Sequence, residues 1–145
     1  MIEIVIEEKA WRTAEPKARV LARAAAAPTL KAEGCCGANV AILLAADARL
    51  QALNGAFRGK DAPTNVLSFN GTGDNLGDIA LALGVCAREA AEQGKTLAAH
   101  LQHLTAHGVL HLLGYDHETD AQAEVMEARE RQILAGLGVA DPYGP

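Results

Sequence analysis

His107 and His111 stand four residues apart, and His117 closes the segment His107-Gly-Val-Leu-His111-Leu-Leu-Gly-Tyr-Asp-His117. On a helix, positions i and i+4 share one face with Cβ atoms roughly 6 Å apart, so the first two rings can offer nitrogens to a single cation. Gly114 gives the helix a place to stop, since glycine enters the left-handed conformation without steric penalty, and the reversal can bring His117 back toward the pair. Three imidazoles, holding one Zn2+ per chain, fill all but one position of a tetrahedral ion and leave the fourth to water, which marks a catalytic rather than a structural site. The competing reading is of surface or core histidines with ordinary hydrogen-bonded neighbours. It suits a lone histidine better than this triplet. His103, one turn before His107 on the same face, suits a ligand, a hydrogen-bond partner of a ligand, or a substrate contact. His100 is less well placed and is expected at the surface.

A second group of residues suits an anion. Arg58-Gly-Lys-Asp-Ala-Pro-Thr-Asn-Val-Leu-Ser-Phe69 runs from a polar loop into an apolar strand segment. Arginine's planar fork of donors matches two phosphate oxygens, Lys60 adds a point charge, and Gly59 lets the backbone approach a ligand closely. A charged turn before a strand is by itself usually just solvated, and Asp61, Thr64 and Asn65 fit side-chain hydrogen bonds that shape the turn.

These residues need elements to hold them. Ile2, Ile4 and Ile6 alternate with Glu3, Val5 and Glu7, the period of a strand with one buried face. Residues 15–27 read as a helix entered through Pro16, residues 38–45 as an apolar strand, and residues 47–56 as a short helix. Strand, helix, strand implies a right-handed crossover and a parallel pair. Residues 66–69 and 77–83 are further strands whose short link demands an antiparallel hairpin, so the sheet is mixed. Helices follow at 85–93 and 97–113, the second a core helix bearing the histidines. Thr119 and Gln122 form a capping box for a last helix that turns Val125, Met126, Ile133 and Leu134 inward and Glu127 and Arg131 outward. Residues 141–145 read as a loose tail. The expected fold class is α+β, with about four strands, one antiparallel edge and packed helices.

The 145 residues make one domain, 1–145, half of it hydrophobic, with no run of eighteen uncharged apolar residues to span a bilayer. No secretory signal is evident, and three cysteines, with Cys35 beside Cys36 and Cys86 alone, do not form a disulfide framework; a cytoplasmic protein is expected, without membrane attachment. Cys35 and Cys36 read as ordinary reduced thiols rather than ligands. A net charge of -5 excludes a surface that is one large nucleic-acid footprint and leaves anion capture to a few placed cations.

The histidine segment, taken with Asn54, Phe57-Arg-Gly-Lys-Asp61, Pro63-Thr-Asn-Val-Leu-Ser-Phe69 and Leu76-Gly-Asp-Ile79, closely resembles the YbeY family of bacterial endoribonucleases, the rRNA maturation factors, in order and spacing over most of the chain. The resemblance implies a zincin-like fold and a zinc-dependent hydrolase of single-stranded RNA, with roles in 16S rRNA 3′-end processing and ribosome quality control and with ribosomal partners. It implies His107, His111 and His117 as zinc ligands and Arg58 as the residue that matters most in catalysis, and His103 also matches a family position.

Two rival classes remain on the residues alone. A protease of the His-Glu-x-x-His type is the first, but Gly108 stands where its glutamate base would be. The second is a ribosome-associated chaperone in which zinc only holds the fold. Asp116 and Asp78 are candidate bases or partners of ligands, although a structural role suits each of them better. Trp11, Tyr115, Tyr143, Phe57 and Phe69 offer few platforms for unpaired bases.

Overall fold

The computed structural model describes residues 1–144. Its elements in chain order are β1 (Ile2–Ile6), α1 (Ala10–Ala14), α2 (Ala18–Ala32), β2 (Asn39–Ala45), α3 (Asp47–Arg58), β3 (Val66–Asn70), β4 (Asn75–Ala82), α4 (Leu83–Glu92), α5 (Leu97–Leu112) and α6 (Asp120–Gly136). One sheet runs in the order β1-β2-β4-β3, with β1, β2 and β4 parallel and β3 antiparallel at the edge beside β4. This is the mixed α+β sheet that the sequence predicts.

Alternation decides which face of the sheet is buried. Ile4, Val40, Ile42, Leu44, Ile79 and Leu81 point to one side, where α2 and α5 close the core with Ala22, Ala26, Leu30, Leu101, Leu104 and Val109. The opposite side is thinner, because α3 covers only the end built from Ala45, Leu67, Ala80 and Ala82 with Leu50. An open groove is left beside it.

α5 is the histidine-bearing core helix that the sequence predicts. It is buried on nearly every side, between the sheet, α2, α4 and α6, as expected for a helix apolar around most of its circumference. That burial corrects the expectation for His100. Only 2 % exposed, it donates from Nε2 to the Glu89 carboxylate of α4 at 2.8 Å, and burial pushes its pKa below the ordinary imidazole value. Its place is structural.

Two further expectations shift, the bounds of α2 and the inward face of α6; α2 starts at Ala18, after Pro16, and not at residue 15. α2 passes through Pro28 instead of stopping at residue 27, because Thr29 and Leu30 are buried beyond it and the Thr29 hydroxyl donates to the Ala25 carbonyl at 2.8 Å; packing outweighs the one backbone bond that proline removes. α6 begins with the predicted capping box, the Thr119 hydroxyl accepting from Gln122 N at 3.1 Å and the Gln122 side chain from Thr119 N at 3.2 Å. Its buried stripe is Met126, Glu130, Ile133 and Leu134, however, and Val125 is 61 % exposed. Met126, Ile133 and Leu134 face inward as expected, Val125 does not, and Glu130 takes a place on the buried stripe.

Candidate metal centre

α5 ends in a pair of backbone bonds that fixes the path to His117. Gly114 has φ +102°, its N–H donates to the His111 carbonyl at 3.0 Å, and the Tyr115 N–H donates to the Leu110 carbonyl at 3.0 Å. These are the two bonds of a Schellman stop, with glycine at the left-handed position. Tyr115 then anchors the returning loop: it packs on the cluster of Ala106, Leu110, Met126 and Ile133, and its hydroxyl donates to Glu33 Oε1 at 2.7 Å. Asp116 accepts from the backbone N–H of His117 at 2.8 Å, shaping the last step.

The three imidazoles therefore converge. Ring centroids lie 4.6 Å apart for His107 and His111, 5.5 Å for His107 and His117, and 5.0 Å for His111 and His117. One ligand atom from each lies within 4.8 Å of the others. Burial, and then the neighbouring His107 and His117, push His111 below the usual imidazole value, so the neutral form with a free lone pair is favoured. Three imidazole nitrogens gathered about one point fit a divalent zinc.

Behind His107 lies a carboxylate that the sequence reading did not single out. Glu130 is fully buried and accepts from His107 Nδ1 at 2.5 Å through Oε1 and from the Tyr143 hydroxyl at 2.5 Å through Oε2. A carboxylate only accepts, so Nδ1 carries the ring proton and Nε2 is left free for an ion. Burial by itself would raise the Glu130 pKa, but the nearby His103 and the hydrogen bonds from His107 and Tyr143 prevail and hold the carboxyl well below its usual range. His103 stands behind the triplet: its Nε2 donates to the Tyr143 hydroxyl at 3.2 Å and lies 3.6 Å from Glu130.

The residues at 141–144 are thus not a loose tail. Arg131 holds the Asp141 carboxylate with contacts of 3.1 and 3.0 Å, Asp141 caps Tyr143 N at 2.8 Å, and Tyr143 reaches the Glu130 network; Pro145 lies outside the described residues. The signal for Glu130 was present in the spacing. It sits four residues after Met126 and three before Ile133, so a charged group on an apolar stripe had to find a buried partner.

The histidines open on a cleft of about 560 Å3 shared with Arg58, Asn65, Ser68, Asn70 and Asp116. Arg58 is the last residue of α3. Gly59 ends that helix at φ +68°, and Asn54 ties down the following loop through its side-chain bond to the Ala62 carbonyl at 3.0 Å and its own carbonyl's bond from Lys60 N at 3.2 Å. The guanidinium donates to the Ser68 carbonyl at 2.6 Å and lies 5.6 Å from the Phe69 ring centre. Ser68 and Asn70, which the sequence reading passed over as cleft residues, donate to the Gly108 and Leu112 carbonyls at 3.2 and 3.3 Å and lock β3 against α5.

Lys60 is exposed on the loop, outside the residues that line this cleft. Asp78 is exposed on the other face of the sheet, in the groove beside α3, and not beside the histidines. Cys35 and Cys36 belong to no cluster of ligating side chains among the described residues, and burial pushes the Cys86 thiol up to about 12.

Gly108 does more than omit a carboxylate. A Cβ there would meet Ile79 at 3.0 and 3.1 Å and the Ser68 hydroxyl at 3.2 Å. Helix and sheet touch at this residue, so a glutamate there would have to displace the side chains of Ile79 and Ser68. Gly108→Glu is expected to lower the melting temperature by roughly 5 °C or more through overpacking, and no peptidase activity is expected from it. A stably folded Gly108→Glu protein would show that the helix can lift off the sheet.

A helix-borne histidine pair completed from the following loop, over a mixed sheet with one antiparallel edge, is a frame that fits the class of metal-assisted hydrolases. Comparison with known proteins narrows that class. The profile of the family described as Endoribonuclease YbeY matches residues 3–138, and the chain belongs to that family. Proteins named Endoribonuclease YbeY from Rhodopseudomonas palustris strain HaA2 and Maricaulis maris strain MCS10 are each 47% identical to it, over 97% of this chain and 80% of the first protein, and 98% and 91% for the second. The solution structure of TM1509 from Thermotoga maritima shares the fold, with a TM-score of 0.58, 22% identity and full coverage of both chains.

Proposed function

We propose that the chain is a zinc-dependent endoribonuclease specific for single-stranded RNA, acting in the cytoplasm on the 3′ end of 16S rRNA precursors and in ribosome quality control, with ribosomal components as partners. The observation that carries this reading is the opening of three convergent imidazoles and Arg58 onto one cleft. Family membership supports the RNA substrate, and no helix among the described residues is long and apolar enough to cross a membrane. The single domain 1–145 carries the whole site.

In this reading His107, His111 and His117 hold the ion. The chemistry it supplies when bound is Lewis acidity toward a phosphodiester and a lowered pKa of water, to about 7. Arg58 is the catalytic residue of the chain itself. One of its donors is fixed on the Ser68 carbonyl, which aims the rest of the fork into the cleft at charge developing on a phosphoryl group. Glu130 and Tyr143 position His107, His103 steadies that pair, and Asp116 shapes the turn that delivers His117.

The test is cleavage of a labelled 16S rRNA 3′-end precursor by the zinc-loaded protein beside identically purified His111→Ala. Cleavage is expected only from the unsubstituted chain. Zinc at a hundred times its Kd should also stabilise that chain by about 2.7 kcal/mol in a thermal melt and leave His111→Ala unmoved. Equal cleavage by both proteins, with equal response to zinc, refutes the assignment.

A further inference from the structure

Resting on the reading of the histidine cleft as an RNA-cleaving site, we infer that the groove on the opposite face of the sheet seats an unpaired nucleobase of the same strand, stacked on Phe57 and Phe69. The groove encloses about 710 Å3 between the uncovered part of the sheet and α3, with Val5, Leu43, Leu53, Phe57, Phe69 and Ala80 among its walls. Phe57 stands at its lip with 68 % of its surface exposed, and its ring meets Phe69 edge to face at 5.4 Å. Water-exposed aromatic surface of this kind is unfavourable unless something covers it.

Continuity with the cleft identifies the occupant. Arg58, Ser68 and Asn70 line both spaces, so a strand whose phosphate meets Arg58 has its neighbouring nucleotide at the mouth of the groove. The guanidinium already lies over the Phe69 ring, the mixed cation and aromatic surface on which bases stack in single-strand binding. Of the other aromatic residues, Trp11 is fully buried and Tyr115 and Tyr143 are engaged with Glu33 and Glu130.

The charged groups of the groove are Arg49, which is paired with Glu7 at 3.4 Å, Arg58 at the edge shared with the cleft, and Asp78. Asp78 is the cross-strand partner of Phe69, is exposed, and also lines the groove. Among the described residues its carboxylate enters no ion pair. It repels a phosphate but accepts from the exocyclic amino group of adenine, cytosine or guanine. In a chain of net charge -5, neutral stacking also supplies affinity that long-range attraction to phosphates does not.

The experiment measures binding of short single-stranded oligoribonucleotides to the zinc-loaded protein, with an abasic residue or 2-aminopurine placed in turn at each position of the strand. One position is expected to show quenched 2-aminopurine, and an abasic residue there should weaken binding roughly 5- to 100-fold. In Phe57→Ala that penalty should fall below about twofold, while Phe57→Trp should keep it. Phe57 is exposed, so Phe57→Ala should melt within about 2 °C of the unsubstituted protein, which a thermal scan verifies. An abasic penalty unchanged in Phe57→Ala overturns the inference, as does a Phe57→Ala protein that binds RNA normally but loses a protein partner. Failure of the unsubstituted chain to cleave any RNA would refute the reading of the cleft instead, and the abasic scan reports on the groove independently of it.

Discussion

Replacing Arg58 by glutamate is expected to lower kcat on single-stranded RNA by about 100- to 1000-fold, the range associated with loss of one placed donor to a developing oxyanion. The fold should hardly notice. Arg58 is exposed at the C-terminal end of α3, and its ties to the rest of the protein are the bond to the Ser68 carbonyl and the contact over Phe69. Such a pair of surface interactions contributes about 1 kcal/mol each or less, so melting should fall by only a few degrees. Arg58→Lys should lie between the two, because it keeps the charge and loses the fork. Steady-state cleavage and thermal melts on the same preparations decide the matter: cleavage that survives Arg58→Glu while melting drops would make Arg58 a helix-end cap and not a catalytic group.

The sequence made most of the candidate site legible because its signals are local. The i, i+4 histidines, the glycine stop and the third histidine all lie within eleven residues, and the Schellman bonds of Gly114 and Tyr115 deliver what that spacing promises. The mixed sheet was readable for the same reason. A link too short for a crossover forces β3 and β4 into a hairpin.

What stayed hidden depends on contacts between distant segments. Glu130 lies 23 residues from His107 and Tyr143 lies 13 further on, and the expected stripe of α6 took in Val125, which is exposed, and left out Glu130, which is buried. His100 failed for a related reason: a polar residue on a helix looks exposed until a second helix supplies a carboxylate, as α4 does with Glu89. The scarcity of aromatic residues likewise says little until their places are known. Phe57 and Phe69 are few, yet they meet beside the cleft.

Glu130→Gln probes the part that the sequence concealed. The carboxylate accepts from two donors, His107 Nδ1 on one oxygen and the Tyr143 hydroxyl on the other. An amide of nearly the same shape offers only one accepting oxygen, and its NH2 must face a donor. One of the two bonds is therefore lost inside a fully buried site, where an unmatched polar group costs about 1–3 kcal/mol. His107 loses the partner that fixes its proton on Nδ1 and its lone pair on Nε2. Zinc affinity, read by competition against a chelating dye, should weaken by about 10- to 100-fold, the range found when a carboxylate behind a ligating histidine is removed. At saturating zinc much of the cleavage rate should return, since Arg58 and the three ligands are still in place. Tyr143→Phe keeps the carboxylate and the His107 bond and should give a smaller loss of affinity. If Glu130→Gln binds zinc as tightly as the unsubstituted chain, Glu130 is a packing residue, and His107 is oriented by its place on α5 alone.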